Sequence, residues 1–417
     1  MKYGLIGEKL GHSFSPEIHK RIGDYPYELK ELTPDAVEGF MRKKDFSAIN
    51  VTIPYKKTVI PYLDEISEDA SLIGAVNTIV NRDGRLYGYN TDFEGMKSLI
   101  LRVSGGKALH GKVLILGTGG TSLTASAVAK HLGASPVIKV SRSEGYDRIT
   151  YSEALKNHLD ATFIINCTPC GMYPNDNGCP ISLEGFTSLE GVADAIYNPL
   201  RTVFIRDAKR RGIPAEGGLY MLVSQAVIAY GHFFGITPAP SLTDRVYGEI
   251  LREKENIVLV GMPSSGKSTV GKHLCELWGT NFIDTDSEIV RSSGMQIPEI
   301  FEKYVEKHFR DLESDVIRSL SSGVSGQVIA TGGGAVLREE NVDLLRANGV
   351  LVFLDRPLDM LIATSDRPLS SDREALERRY NERYPVYTGI SDLTVPSVDT
   401  PEAIASQIAE ILKRVIR

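Results

Sequence analysis

The chain has 417 residues, 47 Lys plus Arg against 53 Asp plus Glu, and a formal net charge of −6. At roughly 100–200 residues per domain, that length predicts two to four domains. With 42% hydrophobic and 24% charged residues, a collagenous or disordered chain is excluded, and the acidic balance argues against a general nucleic-acid binder.

No apolar run approaches the roughly 18 residues of a membrane span. Residues 1–7 turn polar too early for a signal peptide. Cys167, Cys170 and Cys179 cluster, but a structural zinc site takes four ligands and no fourth Cys or His lies close in sequence. The cysteines therefore read as ordinary thiols of a cytoplasmic protein.

Short apolar runs alternate with amphipathic stretches along the whole chain, which predicts an α/β fold with mostly parallel sheets. Three runs begin with strand-forming residues and end in glycine: 2–7, 112–117 (KVLILG) and 256–261 (NIVLVG). A strand followed at once by glycine and a helix is how phosphate-binding units start, so a domain start is placed at each. Residues 232–240 read as a loop between helices. Arg252-Glu253-Lys254-Glu255 reads as the solvated end of a helix joining two halves. No repeat of solenoid length is visible.

In the first segment, Ser13 and Ser15 sit in a loop just after the first strand, placed to face one ligand or to close an ordinary turn. Residues 48–56 (AINVTIPYK) read as a strand running into Lys56; a strand-end lysine, taken alone, is usually solvated. Gly74-Ala75-Val76-Asn77-Thr78 and Gly88-Tyr89-Asn90-Thr91-Asp92 carry Asn, Thr and Asp among small residues. Polar stations that punctuate apolar strands are how a polyol site is built.

In the second segment, Gly117-Thr118-Gly119-Gly120-Thr121-Ser122 lies between a clear strand and a helix, the context of a dinucleotide-binding turn. Ser122 stands where a third glycine is usual, which predicts looser packing of helix on strand. The following strand, 136–140, ends in Ser141-Arg142-Ser143. An NAD site wants an acid there for the ribose hydroxyl; an arginine with two hydroxyls suits the 2′-phosphate of NADP(H), or is simply a solvated charge.

These stations resemble the shikimate dehydrogenase family. The match is SxS, NVTxPxK, GAVNT, GxNTD, GxGG, NxTPxGM (166–172), DxxYxP (194–199) and GGxxMLxxQA (217–226), in order over about 1–250. The resemblance implies that Lys56 and Asp92 form the catalytic pair, with Lys56 moving the proton at the carbonyl or hydroxyl oxygen. It implies that Ser13, Ser15, Thr52, Asn77, Tyr197 and Gln225 hold the substrate's carboxylate and hydroxyls together with that pair. Gly117, Thr118, Gly119, Gly120, Thr121, Ser141, Arg142, Thr168 and Gly218 would line the cofactor. Cys167 is read as packing. Residues 1–100 plus 220–250 would form a substrate lobe and 101–219 a Rossmann-like lobe.

The last segment carries Gly261-Met262-Pro263-Ser264-Ser265-Gly266-Lys267-Ser268-Thr269, a full GxxxxGK[ST] between strand and helix. Its backbone N–H groups form an anion nest, Lys267 adds a point charge, and the Ser268 hydroxyl is placed for Mg²⁺. Phe282-Ile283-Asp284-Thr285-Asp286 reads as a strand end with two carboxylates on one side, one for a metal and one for a hydroxyl, or as an acidic helix cap. Arg310 and Glu313 share a helix face, which a surface pair would also explain. Thr331-Gly332-Gly333-Gly334 lets a ligand approach the backbone. Arg367 and Arg383 sit in loop-like settings.

DTD, FRxxE, TGGG, RPL and ERxPxY in that order resemble the shikimate kinase family, a P-loop group related to nucleoside-monophosphate kinases, over about 256–417. What the resemblance implies is an ATP site at Ser264, Ser265, Gly266, Lys267, Ser268, Thr269 and the lid residue Arg367. Ser268 and Asp284 would hold Mg²⁺. Asp286 would meet the acceptor hydroxyl and take its proton. Arg310, Gly333 and Arg383 would bind shikimate, with both arginines on its carboxylate. Ser264 departs from the glycine often found there, and is expected to keep a negative φ.

Either resemblance predicts the other's substrate, because the oxygen made by reducing 3-dehydroshikimate is the one a shikimate kinase phosphorylates. The sequence therefore reads as a bifunctional enzyme that uses NADP(H), ATP and Mg²⁺ on small molecules, with no nucleic-acid or membrane partner. The rivals are quinate or shikimate oxidation with NAD(H), a gluconate- or nucleotide-type kinase, and a degenerate ligand sensor. The last would have lost Lys56, Asp92, Lys267 or Asp286, and all four are present.

Overall fold

The computed structural model describes residues 1–11, 13–323, 325–361 and 373–415. The chain divides into two compact units, Met1–Ile250 and Leu251–Arg417. Among the described residues no helix is long and apolar enough to cross a membrane.

The first unit holds two six-stranded sheets. One contains β1 (Tyr3–Gly7), β2 (Glu28–Glu31), β3 (Ala48–Val51), β4 (Glu65–Ile66), β5 (Thr78–Arg82) and β6 (Arg85–Tyr89) in the order β2-β1-β3-β5-β6-β4. It is mixed rather than parallel: β5 runs antiparallel to both β3 and β6. The cause is local. Asp83 and Gly84 join β5 to β6 with φ of 51° and 84°, the two-residue turn whose twist matches a hairpin. This reversal gathers the ends of β1, β3 and β6 and the start of β5 along one edge of the sheet.

The other sheet contains β7 (Val113–Leu116), β8 (Val137–Ser141), β9 (Arg148–Thr150), β10 (Phe163–Asn166), β11 (Gly191–Asp194) and β12 (Ala215–Glu216). Its order is β12-β11-β10-β7-β8-β9, parallel throughout. Helices cover both faces, so VLIL and FIIN are buried without alternation. Strand order reverses between β7 and β10, which opens a crevice beyond their carboxyl ends.

Helix Thr91–Val103 buries Phe93, Met96, Leu99, Ile100 and Val103, a 3.6-residue stripe, against Val113, Ile115, Phe163 and Ile165. Helix Leu219–Phe234 crosses it at Gly95, where a Cβ would lie 2.9 Å from the Met221 carbonyl oxygen and 3.0 Å from the Gln225 Cβ. That close crossing brings Gln225 against the start of the first helix. A loop of six residues, 235–240, follows; His232 and Phe234 themselves remain helical.

The second unit is one parallel sheet of β13 (Asn256–Val260), β14 (Phe282–Asp284), β15 (Val328–Ala330), β16 (Gly349–Asp355) and β17 (Leu393–Pro396), ordered β14-β15-β13-β16-β17. Alternation along the strands splits the core. Val258, Val260, Ile329, Leu351 and Phe353 face one side. Ile257, Leu259, Val328, Val352 and Leu354 face the other, under Ile404, Ala405, Ile408 and Leu412 of the C-terminal helix Pro401–Val415. Each such aliphatic side chain contributes about 1.5–3 kcal/mol on burial.

Candidate active sites

The first site lies at the edge where β1, β3, β5 and β6 converge. Lys56 is not on a strand: β3 stops at Val51 and Lys56 follows in a turn, its carbonyl accepting from Val76 N–H at 2.8 Å. Its Nζ lies 2.5 Å from Asp92 Oδ2, with 29% and 20% of the two side chains exposed. Asp92 stands in the first turn of helix Thr91–Val103, whose N-cap Asn90 accepts from the Asp92 N–H at 3.1 Å. The pair is thus a half-buried cation held by a carboxylate at a helix N-terminus, open on one side.

Around it, Asn77 is 3% exposed, and its Oδ1 accepts from Thr91 N–H at 2.8 Å and from the Thr78 and Thr91 hydroxyls at 3.1 and 3.2 Å. Thr91 Oγ1 also lies 3.2 Å from Gln225 Oε1. Thr52 follows β3, with its N–H on the Ile6 carbonyl at 3.0 Å. The Ser13 and Ser15 hydroxyls are 3.1 Å apart, and Phe14 between them packs on Tyr197 at 5.4 Å between ring centres. Burial pushes the Tyr197 phenol up, so it remains a neutral hydroxyl.

At the crevice of the second sheet, Gly117 has φ of 105°, and Gly119 caps helix Gly120–His131. A Cβ on Gly119 or Gly120 would meet nothing within 4 Å, so this stretch of backbone lies open for an anion. Gly117 has the opposite reason for being glycine: its Cβ would sit 3.0 Å from Thr168 Cγ2. Thr168 does not present its hydroxyl freely, because Oγ1 donates to Asn166 Oδ1 at 2.7 Å. Asn166 in turn donates to Asp194 at 3.0 Å, and burial pushes that carboxyl up to about 7 against the hydrogen bonds it accepts from Ile196, Thr202 and Asn166.

Ser122 corrects an expectation. Packing there is tight, with the side chain fully buried and its Oγ donating to the Gly119 carbonyl at 2.6 Å. A small hydroxyl fits because the helix itself satisfies it. Ser141 Oγ donates to the Ser143 carbonyl at 2.5 Å, closing the turn that carries the exposed Arg142. Gly218 lies against the Ala195 carbonyl, 2.2 Å from where its Cβ would be, and so docks helix Leu219–Phe234 on the loop after β11. Cys167 packs on the core, as read, and burial raises its thiol above the ordinary range.

The second site is a cleft of about 900 Å³ beside the P-loop, lined among others by Ser264, Gly266, Lys267, Ser268, Thr269 and Asp284. Asp286, Arg310, Gly333 and Arg383 line the same cleft. Lys267 is 9% exposed and donates to the Gly261 and Met262 carbonyls at 2.9 and 2.8 Å. Ser268 Oγ donates to Asp284 Oδ2 at 2.8 Å, an oxygen pair of the type that holds a hard cation. Ser265 is fully buried beneath the loop. Ser264 departs from expectation: its φ is +64°, because the loop needs a left-handed residue there to turn its N–H groups inward.

Two further expectations are corrected. Asp284 and Asp286 do not alternate along a strand, since β14 ends at Asp284, which caps helix Thr285–Ser293 and accepts from Asp286 N–H at 3.0 Å. Asp286 reaches the cleft from the helix's first turn instead. Arg383 is helical and 6% exposed, within Arg373–Ile390, a helix that continues past Pro385. Arg367 lies outside the described residues.

The three glycines of the 331–334 turn have separate reasons. A Cβ on Gly332 would sit 2.7 Å from Glu313 Oε1 and 2.8 Å from Asp286 Oδ1. One on Gly333 would press Pro263 at 2.9 Å, and one on Gly334 would enter the Arg310 guanidinium at 2.3 Å. Glu313, fully buried, accepts from Arg310 Nη1 at 2.7 Å, while Glu306 accepts from Nη2 at 3.2 Å. Burial raises the Glu313 carboxyl and Arg310 opposes that rise. Tyr387 Oη donates to the Gly333 carbonyl, and burial pushes the phenol up to about 12. Sequence pairs Glu313 with Arg310 without assigning it a role at the site; Tyr387 escaped the sequence reading as a site residue, and its helical spacing from Arg383 is the signal that could have found it.

Comparison with known proteins gives both halves a family. The model of the shikimate dehydrogenase substrate binding domain matches residues 5–79, and that of shikimate kinase matches 263–413. A shikimate dehydrogenase (NADP(+)) of Clostridium perfringens is 36% identical over 273 residues, 60% of this chain and 97% of that protein. One from Halothermothrix orenii is 39% identical, covering 56% and 91%. Among solved structures, a chorismate mutase/shikimate 5-dehydrogenase fusion protein from Clostridium acetobutylicum is similar with TM-score 0.56 and 35% identity, over 60% of this chain and 96% of that one. The chain belongs to the shikimate dehydrogenase family and carries a shikimate kinase domain after that part.

Proposed function

We propose that the chain catalyses two consecutive reactions: NADPH-dependent reduction of 3-dehydroshikimate to shikimate, then MgATP-dependent phosphorylation of shikimate to shikimate 3-phosphate. The functional division follows as 1–100 plus 220–250 for the first substrate, 101–219 for NADP(H) and 256–417 for the kinase. Four free thiols support a cytoplasmic setting.

For the reduction, the carrying observation is the Lys56–Asp92 contact of 2.5 Å. Asp92 holds the ammonium in place, and Lys56 delivers a proton to the carbonyl oxygen as it gains negative charge. Bound NADPH supplies the hydride. The exposed Gly119–Gly120 backbone suits its diphosphate, and Arg142 suits the 2′-phosphate. Ser13, Ser15, Thr52, Asn77, Tyr197 and Gln225 place carboxylate and hydroxyls. Thr118, Thr121, Ser141 and Gly218 shape the cofactor groove, and Thr168 supports Gly117 from below.

For the phosphorylation, the carrying observation is the single cleft that joins the P-loop to Asp286, Arg310, Gly333 and Arg383. Ser268 and Asp284 fit Mg²⁺, and Ser264, Ser265, Gly266, Lys267 and Thr269 fit the phosphates of ATP, which supplies the phosphoryl group. Asp286 takes the proton of the attacking hydroxyl, while Arg310 and Arg383 grip the substrate carboxylate. Arg367 is assigned the lid role. The test is one cuvette with 3-dehydroshikimate, NADPH and MgATP: NADPH loss and ADP formation should both proceed to the amount of substrate. ADP formation that needs no prior NADPH oxidation would refute the sequence of steps. Repeating it with quinate and NAD⁺ distinguishes the oxidative rival.

A further inference from the structure

Tyr387, the last residue of ERxPxY, stands behind the glycine turn of the second site. It is fully buried, its ring 5.1 Å from that of Phe353, and it does not line the cleft. Its Oη donates to the Gly333 carbonyl. The Arg383 side chain, one helical turn earlier, hydrogen-bonds the same hydroxyl and acts on it by charge. A guanidinium can only donate, so it meets the hydroxyl oxygen, and the single hydrogen is left for Gly333. Burial pushes the phenol up to about 12, so that hydrogen stays in place at neutral pH.

The peptides of the 331–334 turn are held one by one. Thr285 Oγ1 accepts from the Gly332 N–H at 2.9 Å, the Gly332 carbonyl accepts from the Ala335 N–H at 3.1 Å, and the Gly334 carbonyl accepts from the Leu337 N–H at 3.1 Å. Among the described residues, the Gly333–Gly334 peptide has one hydrogen bond only, the one from Tyr387. A peptide between two glycines rotates at little steric cost. It is trans and planar, so its C=O and N–H point opposite ways. A carbonyl turned toward Tyr387, outside the cleft, therefore turns the Gly334 N–H the other way, to the side where Gly334 meets Arg310 and lines the cleft. Gly334 is buried, and its N–H has no partner among the described residues. A buried donor of that kind calls for an acceptor on the ligand.

We infer that Tyr387 is a positioning residue for the phosphorylation: it fixes the Gly333–Gly334 peptide so that the Gly334 N–H donates to an oxygen of shikimate. Tyr387 itself touches neither substrate nor nucleotide. Without its hydroxyl the peptide can turn over and present the Gly333 carbonyl to the cleft, where it repels a carboxylate or the lone pairs of a hydroxyl. This inference rests on the reading of the cleft as a shikimate site.

The experiment uses the full chain and steady-state phosphorylation of shikimate by MgATP. Tyr387→Phe keeps the ring on Phe353 and removes the hydroxyl. It should raise the KM for shikimate about fivefold, the size of one lost hydrogen bond, and leave the KM for ATP within about twofold. On an Arg383→Lys background it should lower kcat/KM for shikimate by at least about threefold more, because it acts on the peptide and not through Arg383. A normal shikimate KM in Tyr387→Phe would overturn the positioning role. Equal rises in both KM values, the mark of a merely structural residue, would do the same, as would a smaller further loss on the Arg383→Lys background. Arg310→Ala tests the reading beneath. A raised shikimate KM there, beside a normal one in Tyr387→Phe, overturns the positioning role alone. An unchanged shikimate KM in Arg310→Ala overturns the cleft as a shikimate site, and the positioning role with it.

Discussion

Two glycine-rich loops open two parallel sheets of this molecule, and they are built differently. The loop after β7 offers backbone only: Gly119 caps its helix with an ordinary φ of −79°, and no lysine follows. The loop after β13 holds three left-handed residues, Gly261, Ser264 and Gly266, and places Lys267 against its own carbonyls. A dinucleotide's diphosphate needs little more than a helix terminus, whereas a transferring phosphoryl group needs a point charge and a metal-binding oxygen beside it. The two lysines differ as well. Lys56 is matched to a carboxylate, Lys267 to two backbone carbonyls.

The comparison breaks most readily at those two lysines. Lys56→Ala should lower dehydrogenase turnover by about 10²–10⁴-fold, the usual contribution of a placed acid, while ADP formation from added shikimate stays normal. Turnover within threefold of wild type would remove Lys56 from the mechanism. Lys267→Ala should lower phosphorylation by about 10²–10³-fold with NADPH oxidation unchanged. A parallel loss of both activities would show that the two loops are not independent.

Acid should separate the two units as well. His19 is buried on Tyr27, and burial pulls its imidazole down to about 3 against a hydrogen bond that raises it. The unfolded chain takes up a proton near pH 6.5 that the folded one refuses until about pH 3. The contribution of His19 to the stability of the first unit is therefore complete above pH 6.5 and falls by about 1.4 kcal/mol per pH unit below it, while Asp194, whose carboxyl burial raises to about 7, works in the opposite direction over the same window. In thermal melts from pH 7 to 4.5, His19→Gln should lose less stability, or gain more, than the wild type; identical slopes would exclude a His19 contribution.

Smaller effects sharpen the contrast at the loops themselves. Arg142→Ala should raise the KM for NADPH about tenfold, as expected for a charge-assisted contact worth roughly 1.5–3 kcal/mol, and barely move that for NADH. Equal shifts would make Arg142 a structural residue. Least of all, Ser264→Gly should stabilise the second unit by about 0.5–1 kcal/mol, read as a small rise in Tm, because glycine occupies a φ of +64° without steric penalty. A fall in Tm would mean that the serine side chain contributes more than its backbone strain removes.

Much of this was legible in local sequence. Strand, glycine and helix succeed one another within a few residues, so both phosphate loops stand in the order of the letters, as does the Arg310–Glu313 pair at helical spacing. The hairpin at Asp83-Gly84 was also there to be read, and the expectation of mostly parallel sheets passed over it. Arg383, read as lying in a loop-like setting, is helical, because helix Arg373–Ile390 runs on past Pro385. Alternation misled at Asp286, where one residue of helix replaced strand and turned the side chain by a different angle.

What the sequence by itself determined is the set of reactive groups and the local turns that expose them, because those depend on neighbours a few bonds away. Only the tertiary structure decided what each group faces. Lys56 and Asp92 are 36 residues apart and meet because a turn after β3 lies beside the helix that follows β6. Thr91 and Gln225 are separated by 134 residues and meet because Gly95 lets two helices cross closely. The Asn77 carboxamide oxygen faces the backbone N–H of Thr91, 14 residues on at the start of the next helix. Hydrogen-bond polarity of this kind is a property of packed neighbours, and no residue carries it alone.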